Sequence, residues 1–403
     1  MTQYATGAAG QEVIQSRLDE VIIPICFNGL RGGTSPAEQY ASCRVLEATS
    51  ILLGGNNDDY AEQVCKTLVR VVKMTQRAGQ VRGAALRALA MAYFICATDV
   101  DSSDVVLNLC EQVCAPEFRD EVVPPSLRAT ALDCWALLST TIHNAYLAGS
   151  DGSGSGDGRG LVILPLLSDC LNSVNLDLRC AAGECVALIH EARLDLGIDD
   201  DEGENASERR YRRGKFRSTK EWVGTIDLGS PMLYYNLHGP LSTTRTGSWD
   251  GSEWEVLMDE VKQRVAELSV ESGKHMSKKA KKEQKSTFRE FMSTIVDDEP
   301  PCEVVAFRGG QLTLTNWKEI IQLNYVRHCL QTGFQVQLMT NSTLQLIFGA
   351  DGDLLNTATQ LSQLEKRHHL SKASEANKQA YNERNKVRKS RVRAQNSFLH
   401  ADD

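Results

Sequence analysis

A mainly α protein, built as an armadillo/HEAT-like helical repeat solenoid followed by a small α+β module and a basic C-terminal helix, is what this 403-residue chain predicts. Three observations lead there. A motif of an apolar residue, an arginine and small residues recurs at a spacing near that of two-helix repeats. Apolar residues make up 42% of the chain but aromatics only 6%, a balance that favours Ala- and Leu-rich helix packing over a β-sandwich. Near the C-terminus six cations fall within ten residues, with no acid among them.

The recurring motif reads Val81-Arg82-Gly83-Ala84-Ala85-Leu86, then Leu127-Arg128-Ala129-Thr130-Ala131-Leu132, then Leu178-Arg179-Cys180-Ala181-Ala182-Gly183. Each copy opens an apolar stripe at helical spacing, ending in Ala88-Leu89, Leu137-Leu138 and Leu188-Ile189. The starts are 46 and 51 residues apart, and the longer interval holds a Gly/Ser-rich insertion at 149–160. Spacings of roughly 40–47 residues, with two or three helices per unit, belong to armadillo and HEAT arrays. Small residues let paired helices approach closely, and the repeated arginine suits a bond between turns. Weaker helical patterns at 12–30, 38–53 and 60–75 supply earlier units.

Several function classes find no support. The longest apolar runs, 21–27 and 161–167, are short and contain proline, far below the roughly 18 residues that span a bilayer. The N-terminus lacks a charged-then-apolar leader pattern, so a non-secreted chain without a membrane partner is expected. Twelve cysteines include no Cys-x-x-Cys, and most sit beside Ala, Val and Leu. Free cysteine there acts as a small buried hydrophobe rather than a zinc ligand. The Gly-rich stretch 149–160 lacks the Gly-Lys-Ser/Thr ending of a phosphate loop and reads as a flexible inter-repeat connection. Histidines are scattered, His368-His369 being the one adjacent pair, and His190 and His328 read as ordinary helix-face residues. No nucleophile, acid–base pair, metal set or cofactor motif emerges, so neither catalysis nor a cofactor is expected.

Charge is distributed unevenly. Up to residue 208 there are 14 Lys+Arg against 29 Asp+Glu, and beyond it 30 against 23. An acidic front half and a basic back half suit a chain that presents one part to a polyanion. The acidic run 199–204 is followed by Arg209, Arg210, Arg212, Arg213, Lys215, Arg217 and Lys220 with Tyr211 and Phe216 between them. That block is either a solvated loop or a nucleic-acid contact. Residues 252–270 form an amphipathic pattern with Trp254, Leu257, Val261, Val265 and Leu268 on one face. Then come Lys278, Lys279, Lys281 and Lys282, which fit a helix start, a nuclear-import signal or a phosphate contact. Residues 303–307 and 312–314, joined through Gly309-Gly310, suggest a hairpin. A helix from Trp317 to about Cys329 follows, then a short helix after Gly333-Phe334 and a third capped by Asn341. Four regions result: repeats at 1–198, a charged linker at 199–250, a C-terminal module at 251–360 and a basic tail at 361–403.

The run 277–289, Trp317 with its helix, the stretch Gly333-Phe334-Gln335 through Leu338, Asn341, Leu344 and Ile347-Phe348, and the basic tail together resemble the interferon-related developmental regulator family. The resemblance begins near Glu12 and is sharpest from Ser277 to Arg393; it departs from the family pattern at 377–383, which is more polar and carries Glu383. It implies a helical-repeat region joined to a C-terminal module, and two associated roles. One is occupancy of translationally inactive ribosomes, with a C-terminal helix in an RNA-lined channel. The other is nuclear co-regulation of transcription.

The tail makes a separate physical case. Arg384, Lys386, Arg388, Lys389, Arg391 and Arg393 are its cationic core, with Lys378 upstream, and 365–393 holds ten basic residues and three acids. On a helical wheel Arg384, Arg388 and Arg391 share one side, while Lys386, Lys389 and Arg393 share nearly the opposite one. Val387 and Val392 form no stripe. A helix charged on both sides cannot dock on an apolar core, and one duplex face would leave half its charges unused. A channel walled by phosphates uses them all and releases condensed counterions. Free in solution such a tail is expected to be disordered, ordering only when RNA neutralises it.

The sequence therefore predicts a ribosome-binding factor of hibernation type, docking near the tRNA sites and closing the mRNA path, with rRNA, ribosomal proteins and tRNA as partners in the cytoplasm. The alternative is a nuclear scaffold whose solenoid groove grips regulatory proteins, with the 278–282 lysines directing import.

Overall fold

A computed structural model describes residues 7–31, 34–98, 103–148, 158–196, 251–270, 277–307 and 310–349. The chain opens with α1 (Gly7–Ser16), a π-helical turn (Leu18–Ile22), α2 (Ile23–Gly29), α3 (Pro36–Leu53) and α4 (Asp58–Lys73). Then come α5 (Gly79–Cys96), α6 (Asp104–Cys114), the strands β1 (Glu117–Phe118) and β2 (Glu121–Val122), α7 (Pro125–Ser139), α8 (Asn144–Ala148), α9 (Arg159–Leu171) and α10 (Leu176–Leu196). Further on lie α11 (Gly251–Val270), α12 (Lys278–Ile295), β3 (Glu303–Phe307), β4 (Gly310–Leu314), α13 (Trp317–Leu330), α14 (Phe334–Thr340) and α15 (Ser342–Ile347). The protein is mostly helical, a repeat solenoid with a small strand-containing C-terminal part.

Helix starts follow their local chemistry. Ser35 precedes Pro36 and accepts from the Glu38 amide, so α3 begins with a capped turn and a proline at its first position. Asn316 caps α13 through the Glu319 amide at 2.8 Å. Asn341 caps α15, its Oδ1 accepting from the Thr343 amide at 2.9 Å.

Helices α3, α5, α7, α10 and α12 form one row, each packed on the next. α4, α6, α9 and α11 pair with α5, α7, α10 and α12 in turn. The three motif copies thus open successive members of one row. Their arginines perform equivalent tasks. Arg82 Nε donates to the carbonyl of Val72 at 2.9 Å, Arg128 Nε to Cys114 at 2.6 Å, and Arg179 to Ser173 at 2.7 Å. Each supplies a donor to the end of the preceding helix or the turn after it, where carbonyls lack intrahelical partners. Each also reaches into the next repeat. Arg82 lies over the Phe118 ring, Arg128 donates to Cys170 Sγ at 3.3 Å, and Arg179 donates to Gln284 Oε1 at 2.7 Å. That last bond makes α11 and α12 a continuation of the array.

By density of packing the chain forms two units. Met1–Glu303 with Thr313–Leu344 is one, and Val304–Leu312 with Gln345–Asp403 is the other. The helices of 251–295 and α13 therefore share a unit with the repeats. Within it Trp135 is fully buried, its indole N–H donating to Glu111 Oε1 at 2.9 Å. Nine of the twelve cysteines are buried and all are free, packing as small apolar groups.

Some details differ from the sequence expectation. Along α11 Met258 is buried and Leu257 only partly covered, because the buried stripe turns slightly around the helix. The Gly-rich connection is shorter than 149–160, since α9 already begins at Arg159; residues 149–157 lie outside the described set. β4 starts at Gly310 rather than 312. The small hairpin β1–β2 carried no Gly signal, its turn being made by Arg119 and Asp120 at φ 53° and 62°.

Candidate functional site

Two surfaces of the larger unit carry charge in a patterned way. The first is α12. Gln284, Phe288, Phe291 and Ile295 are buried, and Phe291 sits against Gly183 of α10. Lys278, Lys282, Lys285 and Arg289 follow at i, i+4, i+7 and i+11, so they align along another flank of the helix. Lys278, Lys279, Lys282 and Arg289 are exposed; Lys281 and Lys285 are half-buried. The first turn contains no acid, so the lysines add to the positive end of the helix dipole. The cluster at 278–282 is thus a helix start, and its periodicity extends a basic stripe to Lys285 and Arg289. The remaining predicted residues, Arg209, Arg210, Arg212, Arg213, Lys378, Arg384, Lys386, Arg388, Lys389, Arg391 and Arg393, lie outside the described residues.

The second surface is the face of the helix row on which α13 rests. Five residues beyond each repeated arginine stand Arg87, Asp133 and Glu184, a position that motif matching alone does not single out. Arg87 pairs with Asp133. Burial pushes the Glu184 carboxyl up to about 8, with Asp133 and Glu303 adding to the rise and Arg87 opposing it. Towards the start of the row Glu47 is fully buried and paired with Arg44, and burial raises its carboxyl as well. Towards its end Glu191 accepts the Trp317 amide on both carboxylate oxygens at 3.0 Å. Burial lifts this carboxyl to about 8, against the Trp317 bond and Lys318, with Asp195 reinforcing the rise.

Across this face α13 makes a series of polar contacts. Gln322 donates to Thr140 Oγ1 at 2.9 Å, and Tyr325 donates to the Arg87 carbonyl at 3.1 Å with Cys134 Sγ at 3.2 Å. Arg44 donates to the carbonyls of His328 and Cys329 at 3.1 and 2.9 Å. The Trp317 indole donates to Thr294 of α12 at 3.0 Å and its ring lies 5.4 Å from Phe291. Beyond α13, Asn341 donates to the Ile51 carbonyl at 2.9 Å. This face of the helix row is thus covered by the chain's own helix. His328 is an exposed residue of the helix face, as expected, and its imidazole is held down at about 4 by loss of solvent around it and by Arg87 and Arg44. His190 is buried with Nε2 3.0 Å from Asp298.

Among the described residues no group of three or more His, Cys, Asp or Glu is placed to hold a metal ion, and no helix is long and apolar enough to cross a membrane.

A protein-family model described as Interferon-related developmental regulator (IFRD) matches residues 3–296. Interferon-related developmental regulator 1 of Rattus norvegicus is 28% identical over 91 residues, which is 23% of this chain and 20% of that protein; the Mus musculus protein of the same name gives the same figures. The aligned stretch thus spans a fifth of these relatives. The family match runs through the repeats and stops at the end of α12, so it overlaps the region of sharpest motif resemblance only over 277–296. With the match covering well over half its length, the chain belongs to the interferon-related developmental regulator family.

Proposed function

We propose that this protein is a ribosome-binding factor that holds ribosomes inactive, docking through its folded region near the tRNA sites and closing the mRNA channel with its basic C-terminal segment. The observation that carries this reading is the two-sided cationic pattern of 384–393, six basic residues without an acid. Such a segment fits an enclosure of phosphates better than any single surface. The basic flank of α12, with Lys278, Lys282 and Arg289 exposed, supplies a one-sided contact for RNA backbone elsewhere on the molecule. The protein acts by steric occupancy and not by catalysis, since a helix and mRNA cannot share one channel. Its place of action is then the cytoplasm. A nuclear scaffold gripping proteins in a solenoid groove is the less favoured reading, because a protein-only scaffold has no use for charge on both sides of a helix.

The test compares the wild-type chain with two triple reversals. One changes Arg384, Arg388 and Arg391 to Glu, the other Lys386, Lys389 and Arg393 to Glu. Ribosome pelleting and output of a cell-free translation reaction are measured for each. Both triples are expected to relieve inhibition more than they reduce pelleting. If either inhibits translation as fully as wild type, the channel reading fails and a one-sided contact replaces it. Failure of the wild-type protein to sediment with ribosomes, with recovery only in light nuclear complexes, would sink the ribosome reading entirely. Affinity is also expected to fall about a thousandfold between roughly 50 and 200 mM salt if about six phosphates are neutralised.

A further inference from the structure

The cations of α12 stand in a straight line that the fold holds in place. Lys278, Lys282, Lys285 and Arg289 fall within a sector of about 60° around the helix, with successive rises of about 6, 4.5 and 6 Å along its axis. The opposite flank is buried through Gln284, Phe288, Phe291 and Ile295. Gln284 accepts from Arg179 at 2.7 Å and donates to the Leu268 carbonyl at 3.0 Å, which fixes the rotation of the helix on its neighbours. The two acids of the helix, Glu283 and Glu290, occupy positions about 110–130° around from the stripe.

Arginines elsewhere in the array are matched by carboxylates, Arg44 by Glu47, Arg87 by Asp133 and Arg159 by Glu111. Among the described residues no carboxylate comes within ion-pair distance of the four cations of the stripe. Like charges three and four residues apart repel on a helix, and those in the first turn also oppose its dipole. The first turn contains no acid to offset either effect. A face that meets only solvent is more stable with acids interleaved at these spacings; a bound polyanion removes the same repulsion. The shape of that polyanion follows from what the flank lacks. Phe288 and Phe291 are fully buried, so α12 exposes no aromatic ring, and no large apolar side chain of it is exposed. Unpaired RNA is held by rings that stack on its bases, and a protein partner by buried apolar or aromatic anchors. A duplex needs neither, since it presents its phosphates in a fixed row and is met through shape and backbone. The stripe offers it a line of cations about 16 Å long.

We propose that the flank of α12 from Lys278 to Arg289 is a binding site for the phosphate backbone of double-helical RNA, blind to base sequence. The choice of RNA over DNA rests on the ribosome reading, to which the site adds a contact on a duplex segment of rRNA that does not use the tail.

The probe is a fluorescein-labelled RNA duplex of about 16 base pairs, compared with one of its strands alone. It is added to the full chain with Arg384, Lys386, Arg388, Lys389, Arg391 and Arg393 all changed to Gln, which removes the cationic core of the tail. The duplex is expected to bind at least about tenfold more tightly than the strand. Adding Lys278→Gln, Lys282→Gln and Arg289→Gln is expected to weaken duplex binding at least about tenfold and to reduce the salt slope by roughly 2–3. The charge-conserving set Lys278→Arg, Lys282→Arg and Arg289→Lys is expected to keep the duplex bound, which separates loss of charge from loss of fold. Duplex binding unchanged by the Gln set, or a strand held as tightly as the duplex, overturns the proposal. So does equal competition by polyglutamate at the same charge concentration, which would make any polyanion the ligand. Ribosome pelleting of the wild-type chain is read separately. Sedimentation without duplex binding sinks this site alone; duplex binding without sedimentation upholds the site and sinks the ribosome reading.

Discussion

Arg128 holds the Cys114 carbonyl with Nε and reaches Cys170 with a second nitrogen, so one side chain ties three helices. Its recurrence in the sequence, at the same place as Arg82 and Arg179, was readable; the carbonyls it serves were not, because they lie some 5–14 residues away in the preceding helix end or turn. Arg128→Ala leaves the α6 terminus without its donor and is expected to destabilise by about 1–3 kcal/mol in denaturant melts, with Arg128→Lys recovering part of that. Gly183 is a second instance. A Cβ there would stand 2.4 Å from the Phe291 ring, so Gly183→Ala is expected to cost about 1–3 kcal/mol despite alanine's better helix propensity. Gly83, another motif glycine but one residue after its arginine rather than four, meets only ordinary contacts from 3.6 Å, and Gly83→Ala should be neutral or stabilising. Comparing the two melting midpoints checks the argument, and equal effects would refute it. The two motif glycines differ because one meets Thr130 and Leu127 at ordinary distance and the other an aromatic ring.

α13 illustrates how an element can be legible while its role is not. Its start at Trp317 and its end near Cys329 follow from capping and periodicity, and both are found. Where it lies does not follow, since its partners come from helices nearly the whole chain apart. The carboxyls on that face give folding a pH dependence. Glu191 faces Lys318 on α13 and Asp195 on its own helix; Glu184 faces Asp133, Arg87 and Glu303. Both carboxyls lie near 8 in the folded chain, against an ordinary value of 4.5, so the folded state binds more protons between those limits. Their contribution to folding stability is therefore fullest below about 4.5 and is lost as pH rises to about 8. His328, held at about 4 in the folded chain, opposes this below its ordinary 6.5, leaving the steepest loss between about 6.5 and 8. The thermal midpoint is expected to fall across that window, and Glu191→Gln to flatten the fall. An unchanged slope in the variant would remove Glu191 from the account.

The larger unit behaves as one array that runs past the charged segment 197–250. A chain ending at Leu196 contains every motif copy and is the obvious folding unit from sequence alone. In the structure it would uncover Gly183, strip Arg179 of Gln284, and lose Phe288, Phe291 and Trp317, all of which are buried. Each large apolar side chain contributes about 1.5–3 kcal/mol when fully buried. The truncated chain is accordingly expected to melt about 10 °C or more below one ending at Gly349, followed by circular dichroism. Equal midpoints would show that α11 to α13 add nothing to the array.

Periodicity, caps and motif spacing are local quantities, carried by residues within a few turns of one another. They were enough to specify a helical-repeat chain, the bounds of most helices and the cationic pattern of 384–393. The continuation of the array by α11 and α12, and the filling of the row's face by α13, depend on contacts between residues 105 to 285 positions apart. Such contacts are selected by shape and by pairing of specific groups, Phe291 against Gly183 and Arg44 against the carbonyls of α13. No periodic signal along the chain records those choices.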